Sequence, residues 1–279
     1  MFANREIRLP IGTLRYRDEG AGPPIVFLHG LLVNGLLWRK VVPELAGRFR
    51  CLVPDLPLGA HSVPLPADAE VTPATVARAV ADFIGALGVD RVTLVGNDTG
   101  GAIAQIVATE HPERIGRLVL TDCDAFDNFL PPLFRYLQWG ARIPGFVRLA
   151  GQVLKVRPLR RLPFTYGWVA KRPIPGDVVD RYVAALGDPG VRRDVVKFLR
   201  AISPRYTEEA ARKLADFRKP ALILWSPEDR FFPLEHARRL ARIIPDARLE
   251  TVDDAYAFLA EDQPRRVAEL IADFVTNRV

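Results

Sequence analysis

The stretch Val95-Gly96-Asn97-Asp98-Thr99-Gly100-Gly101 places small residues on both sides of one acidic residue. A short apolar run, Val92-Thr93-Leu94, precedes it, and residues 102–108 continue as a helical pattern. A strand can turn directly into a helix only when the central residue takes a positive φ and its neighbours let the backbone pack closely. The sequence therefore predicts a sharp strand-to-helix turn that presents the carboxylate of Asp98 at the end of a strand.

Short apolar runs alternate with helical patterns along most of the chain. Such runs favour strands that are covered on both faces, and hence a mostly parallel, doubly wound α/β sheet. Residues 7–20 are predicted to form an opening hairpin. The further strand candidates are residues 25–28, 51–53, 92–95, 118–120, 221–224 and 247–252, and the helix candidates are 74–87, 100–110, 234–243 and 264–277.

The alternation breaks between residues 127 and 216. Proline-marked turns separate short helical patterns there, and the pattern predicts no strand. We interpret this region as a helical cap inserted after the strand at 118–120, with the sheet resuming at Pro220. The predicted organisation is an α/β core over residues 1–126 and 217–279 and a cap over 127–216.

Composition restricts the class of protein and its partners. No run of about 20 uncharged apolar residues is present, so no membrane-spanning helix is expected. The start, Met1–Glu6, lacks an apolar signal core, which predicts a cytoplasmic location. Cys51 and Cys123 lie in strand-like runs and are predicted to be buried thiols rather than a disulfide.

Positive charge is concentrated in the predicted cap. Residues 135–219 hold 19 Lys or Arg and 7 Asp or Glu, whereas the whole chain has a net charge of +6. A solvated, arginine-rich helical face is our main interpretation, and contact with a membrane surface is the lesser alternative, because residues 133–164 are basic and amphipathic. No nucleic-acid-binding motif accompanies the charge, so nucleic acid is not an expected partner.

Asp98 occupies the nucleophile position of a Gly-x-Nu-x-Gly pattern, in which serine is more usual. A carboxylate there indicates attack on a saturated carbon, with an ester formed on the enzyme itself. The alternative is a structural carboxylate that caps the following helix.

Four motifs in order carry a family resemblance. They are Leu28-His29-Gly30-Leu31, Asp55-Leu56-Pro57-Leu58-Gly59, the turn at Gly96–Gly100, and the segment Leu224–Pro233. With these motifs the chain resembles the α/β-hydrolase fold family, in the capped branch that includes haloalkane dehalogenases and epoxide hydrolases. The resemblance implies a mostly parallel, twisted eight-stranded sheet flanked by helices, with an inserted helical cap.

The resemblance also implies roles for individual residues. The backbone N–H groups of Leu31 and Thr99 are the expected oxyanion donors. Asp229 matches the acid that orients the catalytic histidine, the alternative being a loop carboxylate that pairs with Arg230 or caps a helix. Some capped relatives take this acid from the position of Asp122 or Asp124, and one residue of the stretch Thr121–Phe129, which enters the cap, is expected to face the pocket.

The expected catalytic histidine is missing. The family's His-Phe segment aligns with Ala257 and Phe258, and alanine cannot accept a proton. Three explanations stay open: an introduced substitution that stalls the enzyme at its ester, a natural residue with His61 or a cap residue as the base, or a protein that binds without turnover. His61 is the candidate base, and His29 belongs to the oxyanion-loop pattern.

The departures from the family pattern bear on the substrate. Leu31 and Thr99 occupy the positions of the halide-binding Asn and Trp, which disfavours dehalogenation, while Leu32 replaces the Pro that is usual in epoxide hydrolases. The cap tyrosines that could protonate an epoxide oxygen are Tyr136, Tyr166, Tyr182 and Tyr206. The residues predicted to border the substrate pocket are His29, Asp124, Phe126 and Trp139.

The predicted function is hydrolysis of a small hydrophobic molecule through Asp98, closer to an epoxide hydrolase than to a dehalogenase. No cofactor is expected, because the sequence holds no metal-ligand spacing and no phosphate-binding glycine loop. The alternatives are a ligand-binding protein without hydrolysis, or a lyase or cyclase in which Asp98 acts as a base.

Overall fold

The computed structural model describes residues 4–277, which contain one eight-stranded sheet. The strand order is β1-β2-β4-β3-β5-β6-β7-β8, with β1, β2 and β4 paired antiparallel and the other neighbours paired parallel. The predicted α/β class is therefore confirmed. The strands are β1 (Asn4–Leu9), β2 (Gly12–Glu19), β3 (Pro24–Leu28), β4 (Arg50–Pro54), β5 (Val92–Asp98), β6 (Ile115–Cys123), β7 (Ala221–Trp225) and β8 (Ala247–Thr251).

Eleven α-helices join and cover the strands within residues 4–277. Their apolar faces pack on the sheet, and the central strands β3 to β7 are almost wholly buried because helices lie on both faces. The helices are α1 (Val42–Leu45), α2 (Pro73–Ala86), α3 (Thr99–Glu110), α4 (Arg135–Gly140), α5 (Phe146–Val153), α6 (Gly176–Ala184), α7 (Pro189–Ala201), α8 (Pro204–Lys213), α9 (Leu234–Ile243), α10 (Leu259–Asp262) and α11 (Pro264–Thr276).

The predicted elements agree with these bounds to within a few residues. The opening hairpin is formed by β1 and β2, and the four predicted helices correspond to α2, α3, α9 and α11. The largest difference is in β6, which is longer than the predicted strand at 118–120 because it continues to Cys123 beside the end of β5. Both cysteines are buried and free, as predicted.

The segment between β6 and β7 forms the roof over the carboxyl ends of the central strands. It contains helices α4 to α8 and short 3₁₀ turns, the first of them at Pro132–Phe134. The predicted cap limits, 127 and 216, both fall inside this segment. Since these helices leave the sheet at one strand and return at the next, they can cover a site at this edge without interrupting the sheet.

Across residues 4–277, no helix has the length and apolar character needed to span a bilayer. The predicted absence of a signal core rested partly on residues 1–3, which lie outside the described residues.

Candidate active site

The turn between β5 and α3 holds Asp98 in an unusual backbone conformation. Its φ is 56° and its ψ is −132°, as the sharp turn requires. The flanking glycines leave no room for side chains: a Cβ atom on Gly96 would lie 2.5 Å from the carbonyl oxygen of Gly100, and one on Gly100 would lie 2.5 Å from that of His29. The local sequence is thus explained by the close backbone contacts of this turn.

The carboxyl of Asp98 is held by two backbone donors from different loops. The N–H of Thr99 and the N–H of Leu31, the latter at 3.2 Å, both donate to Oδ1. Burial raises the pKa of Asp98, while these N–H groups lower it because they stabilise the ionised form. Gly30 permits the approach of the Leu31 loop, since a Cβ atom there would lie 2.6 Å from Asp98 Oδ1.

His29 stabilises the Leu31 loop through hydrogen bonds of its ring with the backbone of Gly30 and Leu56. Its Nε2 accepts the N–H of Leu56 at 2.8 Å, which leaves the proton on Nδ1 to donate to the carbonyl of Gly30 at 2.9 Å. Burial lowers the pKa of His29 to about 4, so the ring is neutral at pH 7. His29 is fully buried and does not line the cavity, although the sequence predicted it to border the substrate pocket.

Asp124 lies behind the turn. Its Oδ2 accepts the hydroxyl of Thr99 at 3.1 Å, and its Oδ1 accepts the N–H of Leu130 at 3.0 Å. Burial, and then the charge of Asp98, raise the pKa of Asp124 well above its ordinary value. Asp124 therefore supports the turn through Thr99 rather than lining the cavity itself.

Asp229 follows β7, and its Oδ1 accepts the N–H groups of Phe231 at 2.7 Å and Phe232 at 3.3 Å. Burial raises the pKa of Asp229 to about 6, and the charge of Asp98 contributes to the increase. The Oδ2 atom is buried and has no donor among the described residues.

Asp122, at the end of β6, faces Asp229. Its Oδ1 accepts the N–H of Ser226 at 3.0 Å, and its Oδ2 is buried without a described donor. Burial, and then the charge of Asp229, raise the pKa of Asp122 well above its ordinary value. The two carboxyls form a hydrogen bond when Asp122 holds a proton and Asp229 is ionised, which satisfies both orphaned oxygens.

Ala257 is buried in the loop between β8 and α10, next to Phe258, which lines the cavity. Its carbonyl accepts the side-chain amide of Asn97 at 2.8 Å. The same loop is hydrogen-bonded to the cap, because the N–H of Phe258 donates to the carbonyl of Val169 at 2.7 Å. Position 257, which the sequence predicts to match the family's base, is therefore close to the cavity and presents a methyl group.

His61 is placed away from this site. Its Nε2 lies 3.3 Å from Oδ2 of Asp194, a buried carboxyl on α7 that also accepts the N–H of Leu65 at 2.8 Å. Within residues 4–277, no histidine lines the cavity over Asp98. The structure thus brings together Asp98, Leu31 and Thr99 at the cavity, and it places His61 in a contact between the cap and the core.

The cavity above Asp98 has a volume of about 250 Å³. Asp98 is the one carboxylate in its wall among the described residues, and the other polar side chains are Tyr136, Tyr166 and Thr165. The remaining wall is apolar, and Leu130, Phe134, Leu137, Phe146, Val147, Leu149, Val153, Leu154, Phe164, Leu186, Leu199 and Phe258 contribute to it.

Two of the four predicted tyrosines reach the cavity. The hydroxyl of Tyr136 donates to the carbonyl of Phe164 at 2.7 Å, and that of Tyr166 donates to the carbonyl of Leu32 at 2.8 Å. Burial raises the pKa of both hydroxyls. Tyr182 is buried outside the cavity wall, and Tyr206 lines a different surface groove.

The two predicted aromatic pocket residues lie elsewhere. Phe126 packs against the ring of His236 at 5.3 Å and under Arg239, and Trp139 is 65% exposed. Sequence reasoning missed Phe258 as a wall residue because its contact with the cavity depends on how distant segments pack. The one signal for Phe258 was its place in the His-Phe segment of the family.

Among residues 4–277, no group of three or more His, Cys, Asp or Glu side chains is arranged to hold a metal ion. The acidic side chains near the turn instead accept backbone N–H and hydroxyl donors.

Comparison with known proteins adds the following findings. A family model described as alpha/beta hydrolase fold matches residues 23–264. Haloalkane dehalogenase 2 of Mycobacterium tuberculosis is 28% identical over 287 residues, covering 98% of this chain and 94% of that protein. The 2-hydroxymuconate semialdehyde hydrolase of Pseudomonas sp. (strain CF600) is 30% identical over 270 residues, covering 93% and 89%. The solved structure of the epoxide hydrolase CorEH has the same fold, with a TM-score of 0.82, 22% identity and 98% of each chain covered.

Proposed function

The chain belongs to the α/β-hydrolase fold family, and from this premise we propose that it attacks a small hydrophobic electrophile with Asp98. The substrate class that fits best is an apolar epoxide rather than an alkyl halide. The reaction passes through an ester between the carboxyl of Asp98 and a substrate carbon.

The observation that carries this proposal is the setting of the Asp98 carboxyl. Its Oδ1 accepts N–H groups from two separate loops, and the side chain lines a cavity whose wall is mostly apolar. Oδ2 is then the oxygen for attack. A carboxylate that only capped α3 would have no use for a second donor from the Leu31 loop.

In the first step Oδ2 bonds to an epoxide carbon, the ring carbon–oxygen bond breaks, and its electron pair passes to the ring oxygen. That oxygen takes a proton from a tyrosine hydroxyl, and Tyr136 and Tyr166 supply hydroxyls in the wall. An alkyl halide would need side-chain donors for the leaving halide, and neither Leu31 nor Thr99 offers an N–H on its side chain. These features favour the epoxide.

In the second step water attacks the carboxyl carbon of the Asp98 ester. The negative charge that develops on Oδ1 is stabilised by the N–H groups of Leu31 and Thr99. Collapse of this intermediate expels the substrate oxygen, which takes the proton removed from the water and leaves as an alcohol. The carboxylic acid left at Asp98 then returns its proton to the tyrosinate of the first step, which restores the carboxylate of Asp98.

The removal of a proton from the attacking water lacks its usual general base, because Ala257 stands where the family's histidine is expected. We propose Asp229 as the substitute base, because burial raises its pKa to about 6, a value that suits a general base at neutral pH. Asp122 assists as a positioning residue, because its proton engages Oδ2 of Asp229. We expect the first step to be efficient and the release of the ester to be slow.

Ala257 also favours a second candidate function, a protein that binds a hydrophobic ligand without turning it over. In that case Asp98 accepts a hydroxyl or amine of the ligand, and no covalent bond forms. The two functions differ in the mass of the protein after exposure to an electrophile.

The experiment is intact-protein mass spectrometry after incubation with styrene oxide and, separately, with 1-bromohexane. We expect one adduct per chain, located on Asp98 by peptide mapping, and no adduct in the isosteric Asp98→Asn variant. The labelling rate should fall at least about 10³-fold in that variant, as expected for loss of a nucleophile. Asp127→Asn, an exposed carboxyl outside the cavity, is the matched control and should label like the parent protein.

Isotope tracing separates the mechanisms further. Single turnover in H₂¹⁸O should place the heavy oxygen in the carboxyl of Asp98, since water attacks the ester carbon. Heavy oxygen found only in the product would contradict the ester mechanism. Saturable binding with no adduct from either electrophile would instead establish the ligand-binding function.

A further inference from the structure

The exposed apolar side chains of this protein are concentrated in one part of the cap. Among residues 4–277, every large hydrophobic side chain classed as exposed lies between Leu133 and Trp168. Leu149 is 64% exposed and Trp139 is 65% exposed. Isolated exposed hydrophobic residues are ordinary on a protein surface, but their restriction to a single segment indicates a contact surface.

This surface borders the opening of the cavity. Leu149, Val153 and Phe164 are exposed to solvent and also line the cavity wall, so they form its rim. We call the exposed residues of 133–164 the mouth surface. A molecule that rests on the mouth surface has direct access to the space above Asp98.

Helix α5 has the geometry of an interfacial helix. Val147 and Gly151 face the protein interior, while Leu149 and Val153, four residues apart, form an outward apolar stripe that Val156 continues. Arg148 and Lys155 are exposed on one flank of that stripe. An apolar stripe with flanking basic residues is the pattern of helices that lie in the headgroup region of a membrane.

The mouth surface carries positive charge and no negative charge. Residues 133–164 contain seven Lys or Arg and no Asp or Glu. Arg157 and Arg160 pair with Asp180, whereas the other five form no ion pair with a described carboxylate. These five, all exposed, are Arg135, Arg142, Arg148, Lys155 and Arg161.

We propose that the mouth surface docks on an anionic phospholipid bilayer, with α5 lying in the headgroup region and the cavity opening toward the lipid. The free basic side chains complement acidic headgroups, and the apolar stripe enters the acyl boundary. A symmetric contact between two copies of the chain is disfavoured, because it would bring the same uncompensated positive charge against itself. The proposal does not depend on the chemistry at Asp98.

This orientation has a consequence for the ligand. An apolar molecule dissolved in the bilayer would enter the cavity past Leu149, Val153 and Phe164 without crossing water. The mostly apolar wall is suited to such a molecule.

The test is co-sedimentation with vesicles of phosphatidylcholine alone and of phosphatidylcholine mixed with phosphatidylglycerol. We expect binding to the anionic vesicles that weakens as salt is added, since exposed charges are screened. The double variant Arg148→Gln/Lys155→Gln should bind about 25-fold more weakly, because each basic residue near an anionic surface contributes about fivefold. The variant Leu149→Ser/Val153→Ser should also lose binding.

The control is Arg78→Gln/Arg218→Gln, which removes two exposed basic side chains outside the cap that form no described ion pair. Equal loss of binding in this control would overturn the proposal, since it would reduce the effect to net charge. Thermal unfolding of each variant checks that the fold is retained.

Fluorescence gives a second measurement. Trp139 is exposed, so in a Trp168→Phe background its emission should shift to the blue on anionic vesicles and be quenched by brominated lipid. Absence of vesicle binding would overturn the proposal. The proposal would also fail if sedimentation velocity showed that the protein self-associates and that Leu149→Ser/Val153→Ser converts it to a monomer. Asp98→Asn should bind vesicles normally, so failure of the proposed chemistry and failure of docking are distinguishable.

Discussion

The floor and the roof of the cavity are held by different kinds of contact. In the floor, backbone N–H groups, a hydroxyl and carboxyls from three different loops meet through short polar contacts around Asp98. In the roof, α4 and α5 and the turns around them present apolar side chains, and the two tyrosine hydroxyls are occupied by backbone carbonyls. The contacts that hold the floor are therefore directional hydrogen bonds, whereas those of the roof are mostly non-directional apolar contacts.

This difference indicates a division of labour. Directional hydrogen bonds hold the carboxyl of Asp98, the proposed nucleophile, to within a fraction of an ångström, which the proposed chemistry requires. Apolar contacts tolerate changes of shape and select a ligand by size and hydrophobicity. We therefore expect changes in the floor to alter the chemical steps, and changes in the roof to alter which molecules react.

The largest expected effect comes from restoring a base to the floor. Ala257→His should speed release of the Asp98 ester by about 10²–10⁴-fold, the usual contribution of a general base. The measurement is the rate at which the covalent adduct on Asp98, followed by intact-protein mass spectrometry, disappears after excess electrophile is removed.

Ala257→Gln is the matched control, because it adds a side chain of related size that cannot act as a base. An equal acceleration by Gln would show that the defect is one of packing, and the assignment of position 257 to proton transfer would fail.

The next effect concerns Asp229 and the dependence of stability on pH. Its pKa is raised from 3.8 to about 6 in the folded protein, so the folded state binds its proton more tightly than the unfolded state does. Stability from this residue is therefore present below pH 3.8 and lost as the pH rises through about 6. Asp229→Asn should raise the free energy of unfolding by about 2 kcal/mol at pH 7 and have little effect at pH 4.

Chemical denaturation at the two pH values measures this difference. The same variant should slow release of the ester, while leaving its formation at Asp98 intact. A loss of stability at pH 7 would mean that Asp229 is held in the ionised form by its donors, and the paired-carboxyl description of the floor would be wrong.

The smallest of these effects tests the roof. Tyr166→Phe should slow labelling by epoxides by about tenfold and leave labelling by alkyl halides nearly unchanged, because only the epoxide oxygen needs a proton. Tyr182→Phe is the control, since that ring lies 6.1 Å from Tyr166 but outside the cavity wall. Equal slowing of both electrophiles would indicate a steric role for Tyr166, and the preference for epoxides would lose its support.

Several features of the site follow from short stretches of sequence. The glycines around Asp98 predict a strained turn because one steric conflict, between Gly96 and Gly100, involves residues that are close in the chain. The need for glycine at position 30 is not local in this sense, because a Cβ atom there would meet Asp98, which lies far along the chain.

Other features could not be predicted in this way. His61 was a candidate base because it follows the loop after β4, but its partner is Asp194, which lies 133 positions further along the chain. Phe126 and Trp139 have the composition expected of pocket residues, yet one packs beneath Arg239 and the other faces solvent. Nothing in the local pattern distinguishes an aromatic ring at the cavity from one packed against a different helix.

The sequence by itself determined the α/β alternation, the position of the strained turn and the absence of histidine at 257, because each depends on residue type or on contacts between near neighbours. The tertiary structure alone decided that Asp122 faces Asp229, that Tyr136 and Tyr166 reach the cavity, and that the basic apolar segment borders its mouth. Those outcomes depend on the packing of segments tens of residues apart, and the free energy of such contacts is set by burial and geometry rather than by local residue type.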